Sequence, residues 1–160
     1  MRSMLRRILV IAIIGSAVSF IGCKDDDDDK EENTPITNTC ATGNFCMVYD
    51  GVQKSGNATF KALANGRNRI YWENGSAGTF EQVELDIYGS AVGDYTIDTT
   101  GAVGTANIEY YSASSGVGEA VSGKVTITAF DPAGTGVTGT FNGTTNSGKL
   151  ITDGKFSNVK

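Results

Sequence analysis

Polar and apolar residues alternate along much of the chain, most clearly in Glu81-Gln82-Val83-Glu84-Leu85-Asp86-Ile87-Tyr88. Successive side chains of a strand point to opposite faces, so this segment is expected to turn Val83, Leu85 and Ile87 inward and its three acids, Glu81, Glu84 and Asp86, outward. Lys124-Val125-Thr126-Ile127-Thr128-Ala129 repeats the pattern with threonines on the wet face. The same reading predicts strands at 45–49, 58–63, 68–72, 94–97, 106–111, 137–141 and 150–159, about nine in all. Turn signals separate them at Asp50-Gly51, Asn65-Gly66, Asn74-Gly75, Val92-Gly93, Ser115-Gly116, Pro132-Ala133-Gly134, Asn142-Gly143 and Ser147-Gly148. No apolar pattern of helical period persists for ten residues in this region. The expected fold is therefore all-β, a single antiparallel meander forming a sandwich or a flattened up-and-down barrel. Connections this short leave no room for parallel crossovers.

The first residues follow a different pattern. Arg2, Arg6 and Arg7 precede an apolar run over residues 8–21 that ends at Gly22-Cys23. Such a run is shorter than the roughly 20 residues needed to span a bilayer, which marks a cleaved secretory signal. Gly22-Cys23 resembles the lipobox of bacterial lipoproteins, and the resemblance implies acylation of Cys23 after removal of residues 1–22. Lys24-Asp25-Asp26 resembles the export signal by which Bacteroidota send lipoproteins to the outer face of the outer membrane. The competing readings of this acidic run are a solvated spacer and an engineered protease site, since Asp26 to Lys30 spells the enteropeptidase sequence. Like-charge repulsion makes residues 23–39 an extended tether in every case, leaving 40–160 as the all-β domain.

Charge narrows the partners. Removing Arg2, Arg6 and Arg7 leaves 10 of the 13 bases against 18 acids, and the acids cluster in the tether. With no basic stripe to neutralise phosphates, nucleic acid is not an expected partner. Of the three cysteines, Cys23 is assigned to lipid, leaving Cys40 and Cys46 for a disulfide in an oxidising exported setting. Two thiols without a single histidine make a poor metal site, and no metal or cofactor is expected.

The ending 148–159, preceded by Val137-Thr138-Gly139-Thr140-Phe141, resembles the closing strands of uncharacterised Bacteroidota lipoprotein families. That resemblance implies a small lipocalin-like or sandwich-like β domain and says nothing of activity.

Candidate chemistry is sparse. Without histidine the usual base for a Ser or Cys nucleophile is missing, and no catalytic residue is assigned. Glu84 with Asp86, or Asp94 with Asp98, has the spacing for a glycosidase pair, but alternation puts Glu84 and Asp86 on a solvated face. Gly134-Thr135-Gly136-Val137-Thr138-Gly139 spells a dinucleotide-binding pattern that no helix follows, so a hairpin turn after Asp131-Pro132 explains it better. The remaining clue is two aromatic pairs, Tyr71-Trp72 and Tyr110-Tyr111. On a strand one ring of each pair must face away from the core, either as a platform for a sugar or a protein partner or as an isolated surface ring. The expectation is a lipid-anchored, non-catalytic binding module on the outer membrane surface, with a glycan or an envelope protein as partner. The alternative is a lipocalin-like carrier of one small apolar ligand, and a glycosidase-type enzyme stands third. Oligomeric state is not legible.

Overall fold

The computed structural model describes residues 40–160. The signal segment, Cys23, the Lys24-Asp25-Asp26 run and the tether lie outside the described residues. Ten strands run in order: β1 (Phe45–Tyr49), β2 (Val52–Gly56), β3 (Ala58–Ala62), β4 (Arg67–Asn74), β5 (Glu81–Tyr88), β6 (Gly93–Ile97), β7 (Thr105–Ser112), β8 (Gly116–Asp131), β9 (Gly136–Thr145) and β10 (Leu150–Val159). All belong to one sheet, ordered β2-β1-β10-β9-β8-β6-β7-β5-β4-β3, with β8 also pairing β7. The two outermost strands, β2 and β3, are consecutive in the chain with only Asn57 between them. One extended segment therefore pairs with β1 over its first half and with β4 over its second, which curls the sheet into a nearly closed barrel.

The seam where this segment changes partners is built from specific residues. Asn44 bridges it by accepting from the Ala58 amide at 2.7 Å and donating to the Ala58 carbonyl at 3.3 Å, and the Phe60 amide reaches the Lys160 carbonyl. Gly43 and Gly56 meet in a parallel bridge. A Cβ on Gly43 would stand 2.0 Å from the Gly56 carbonyl oxygen, so only glycine permits this approach. Just before the first strand, Cys40 and Cys46 form the expected disulfide, which ties the start of the domain to β1.

Alternation fills the barrel. Phe45, Met47, Ile70, Trp72, Val83, Leu85, Ile87, Ile108, Val125, Ile127, Ile151 and Phe156 are essentially fully buried. Phe45 stacks between Trp72 at 5.6 Å and Phe141 at 5.5 Å, and Phe141 lies against Phe156. These rings fit because the facing positions are small: a Cβ on Gly154 would lie 2.6 Å from Phe141, and one on Gly139 the same distance from Phe156.

Several expectations need correction, among them the turn at Asn142-Gly143, which lies inside β9. β2 was not anticipated, and β8 extends far beyond 124–129. A parallel pairing does occur, because β6 wedges between β7 and β8 and runs parallel to β7 at Thr96–Thr105 and Ile97–Ala106. Glu81 shares parity with Val83 and turns inward, where it accepts bonds from Lys54 at 2.5 Å and from the Tyr110 hydroxyl at 2.8 Å. Asp86 does face outward but is only 6% exposed, covered by two arginines from β4.

Candidate functional site

Strands β4, β5, β7 and the start of β8 form one continuous outer wall, and register fixes which side chains meet on it. Tyr71, Glu84, Glu109 and Glu119 stand in one row across the four strands. Glu73, Gln82, Tyr111 and Val117 make the next row towards the end that carries the β4–β5 and β7–β8 turns, here the upper end. Arg69, Asp86 and Asn107 lie on the other side, and Arg67 beside Tyr88 closes the lower rim.

The structure separates the four aromatic candidates. Trp72 is 1% exposed and Tyr110 3%, both inside the barrel, with Tyr110 stacked on Tyr49 at 3.9 Å. Burial, followed by the bond to Glu81, pushes the Tyr110 phenol far above its ordinary value, so it stays protonated. Tyr71 and Tyr111 both face out on the same wall, two strands and two residues apart, about 12 Å by sheet geometry. Tyr71 donates to Glu73 at 2.6 Å, and this bond, with burial second, pushes its phenol up to about 12. The Lys61 ammonium lies 4.9 Å from the same ring. Tyr111 rests against Phe80 at a centroid distance of 6.0 Å, and neighbouring Val117 is 57% exposed.

Between the rings lies a polar strip. Gln82 donates to Glu84 at 2.7 Å, and Arg69 pairs with Glu84 while holding Asp86 with two bonds of 2.7 and 2.8 Å. The Asp86 bond, set against burial, raises the Arg69 guanidinium above its ordinary value. Arg69 reaches Glu84 from the neighbouring row, while Glu109 has a carboxylate on either side. Burial, and after it the neighbouring Glu84 and Glu119, raise its carboxyl above the usual range. The strip thus presents carboxylate and amide groups between two aromatic faces and carries net negative charge.

The proposed carboxylate pairs have other occupations. Glu84 and Asp86 share Arg69. Asp94 accepts from Thr126 and Lys124 at 2.7 and 2.9 Å, while Asp98 caps the Thr100 amide at 2.7 Å. The dinucleotide-like glycines sit in the β8–β9 hairpin, whose turn is held by Asp131 accepting from the Gly134 and Thr135 amides. Among the described residues no group of three His, Cys, Asp or Glu side chains is arranged to hold a metal ion. Sequence reasoning missed Glu109 and Glu119, although alternation through 105–112 would have placed Glu109 on the wall beside Tyr111. It also missed the lower-rim residues Arg67 and Tyr88, whose groove is completed by Thr99, Thr100 and Gly101 from a loop distant in sequence.

Fold and wall together define a small disulfide-tied β barrel with an aromatic and acidic outer face. Compared with protein-family models, with curated proteins and with solved structures, the chain matches none.

Proposed function

We propose that this protein is a lipid-anchored envelope module that binds glycan on its outer barrel wall, without catalysis. The observation that carries the reading is the pair Tyr71 and Tyr111, set on one face with Gln82, Glu84 and Glu73 beside them. Rings supply apolar platforms for sugar faces, while carboxylate and amide groups take up sugar hydroxyls. The negative charge of the strip favours a neutral or amino-bearing glycan over an acidic one. The carrier reading is the weaker of the two because the barrel axis is occupied by Phe45, Met47, Trp72, Phe141 and Phe156, which fill the space an enclosed ligand would need. Attachment through Cys23 and display directed by Lys24, Asp25 and Asp26 complete the proposal, with the membrane as the anchor's partner.

Calorimetric titration of the purified chain with oligomers of N-acetylglucosamine and of glucosamine tests the wall. Each stacked sugar contributes a modest increment, so Tyr71→Ala and Tyr111→Ala should each weaken binding about tenfold. Equal affinity of both variants and the parent would overturn the site. External protease added to intact producing cells tests display: the domain should be lost, and protected once Asp25 and Asp26 become Ala.

A further inference from the structure

We propose a second ligand site at the lower rim of the same wall, separate from Tyr71 and Tyr111, that takes an anionic sugar unit with its carboxylate on Arg67 and its ring beside Tyr88. A groove of about 400 Å3 opens there between the β3–β4 turn and the loop joining β6 to β7, lined chiefly by Asn65, Arg67, Tyr88, Thr99, Thr100 and Gly101. Its chemistry is the opposite of the strip above: one guanidinium, one amide, three hydroxyls and no carboxylate.

Arg67 is the group with capacity to spare. Its side chain is 39% exposed and its one ion pair, to Asp86, is 3.5 Å long. Asp86 already receives two shorter bonds from Arg69, so little of the Arg67 charge is neutralised. A guanidinium offers five donors in a fork that matches a carboxylate, and Arg67 lines the groove with Asp86 as its one ion-pair partner among the described residues. The Asn65 amide and the Thr99 and Thr100 hydroxyls are exposed to solvent and the Tyr88 phenol is half-buried, so these groups of the lining are open to a ligand. One cation ringed by neutral donors and acceptors beside an aromatic ring suits a hydroxylated ring bearing one negative group. A bare anion would engage the guanidinium alone and leave the amide and hydroxyls to water.

The groove is held in shape before any ligand arrives. The loop is tied to β5 by the Gly104 amide on the Tyr88 carbonyl at 2.8 Å, and to β7 by the Asp98 amide on the Ala106 carbonyl at 2.9 Å. Within it Asp98 accepts from the Thr100 amide. Gly101, with φ +71°, lets the loop lie close on the Tyr88 ring, where a Cβ would come within 3.1 Å. On the opposite wall Asn65 takes a left-handed conformation, φ 61°, in the tight turn before β4. A preformed groove avoids the ordering cost that weakens binding to mobile loops.

Calorimetry or saturation-transfer NMR on the full chain with D-glucuronate, D-glucose and acetate tests the proposal. D-glucuronate should bind at least about tenfold more tightly than either D-glucose or acetate, the one lacking the charge and the other the ring. Arg67→Gln should abolish the preference over D-glucose, and Thr99→Val with Thr100→Val should weaken D-glucuronate several-fold should Arg67→Gln fail to fold. Tyr71→Ala should leave D-glucuronate binding unchanged, which separates this site from the upper wall and its failure from the failure of the glycan reading there. Acetate binding as tightly as D-glucuronate, undiminished D-glucuronate binding by Arg67→Gln, or no D-glucuronate binding at millimolar concentration would each overturn it.

Discussion

Lys54 and Glu81 span the upper part of the seam, where β2 has left β4 and main-chain pairing stops. Their side chains are 15% and 20% exposed, and Glu81 also accepts the Tyr110 hydroxyl. Glu81→Ala removes both bonds and leaves an ammonium and a buried phenol without partners. A hydrogen bond to a charged group contributes about 1.5–3 kcal/mol and an unmet buried hydroxyl costs about 1–3 kcal/mol. Partial access of Lys54 to water favours the low end of each, giving about 2.5 kcal/mol and a fall in Tm of about 10 °C for a domain of this size. Glu81→Gln keeps an acceptor for Tyr110 and should cost about 1 kcal/mol. Lys54→Met should cost about 2 kcal/mol, and its combination with Glu81→Gln less than the sum, because removing both charges leaves neither stranded. Urea unfolding followed by the fluorescence of Trp72, the sole tryptophan, reads all four variants. Burial raises the Glu81 carboxyl, but the bonds from Lys54 and Tyr110 outweigh it and lower the group below its ordinary 4.5. Its folded value is thus below its unfolded one, so its contribution is complete above pH 4.5 and is lost as pH falls through the folded value. The gap between parent and Glu81→Gln should narrow in that acidic window. Glu81→Ala within about 0.5 kcal/mol of the parent would refute the assignment of the seam to this pair.

Glu109→Gln should stabilise the domain by up to about 1 kcal/mol at pH 7, since it removes a carboxylate facing two others across adjacent strands. Its raised folded value means the penalty is absent below the unfolded 4.5 and grows as pH rises, so melting at pH 4 should show no gain. Replacing Cys40 and Cys46 by Ala should lower stability by about 2 kcal/mol, the loop-closure entropy of a short ring, read as a shifted urea midpoint with unchanged slope. Trp72→Phe should cost less than an ordinary aromatic truncation in a core. The indole Nε1 is buried without a partner among the described residues, and losing an unsatisfied donor returns about 1–3 kcal/mol against the lost contacts. A cost above about 4 kcal/mol in urea unfolding would show that the nitrogen is satisfied after all.

Regular alternation made most of the barrel legible. β5 and β7 could be placed because most of their inward positions carry Val, Leu, Ile and Tyr while most outward ones are polar, and β10 from its Ile, Phe and Val, although two bulges break its alternation. β2 could not, since its inward residues, Lys54 and Gly56, are the ones the seam demands: a cation for Glu81 and a glycine beneath Trp72, where a Cβ would lie 2.7 Å from the indole nitrogen. The first half of β8 inverts the pattern. Val117 and Val121 are exposed while Gly118 and Ala120 face in, because the Tyr49 hydroxyl lies where a side chain on Gly118 would go. Barrel and sandwich were inseparable in sequence because closure depends on one segment changing partners at Asn57, which no local pattern records. The outward tyrosines were half legible. Alternation requires one ring of each adjacent pair to face out, but only the register of β4, β5 and β7 puts Tyr71 and Tyr111 on one wall.

The arrangement of charge along that wall is a second reason, beside the two tyrosines, to look for ligands there. A surface selected for stability alone would alternate signs between directly opposed strand positions, since like charges at such positions destabilise the sheet. Here Glu84, Glu109 and Glu119 stand side by side, while Arg67 is left at the rim with one long ion pair to a carboxylate that Arg69 already holds. Shifting a single cation upward would relieve the first and remove the second. A filled interior leaves the outside as the surface on which such segregation can act, in line with the sites proposed above for neutral or amino sugars on the upper rows and a carboxylated one at the rim. The stability gain expected for Glu109→Gln therefore carries a functional corollary: the variant that melts later should bind the glucosamine oligomer less well.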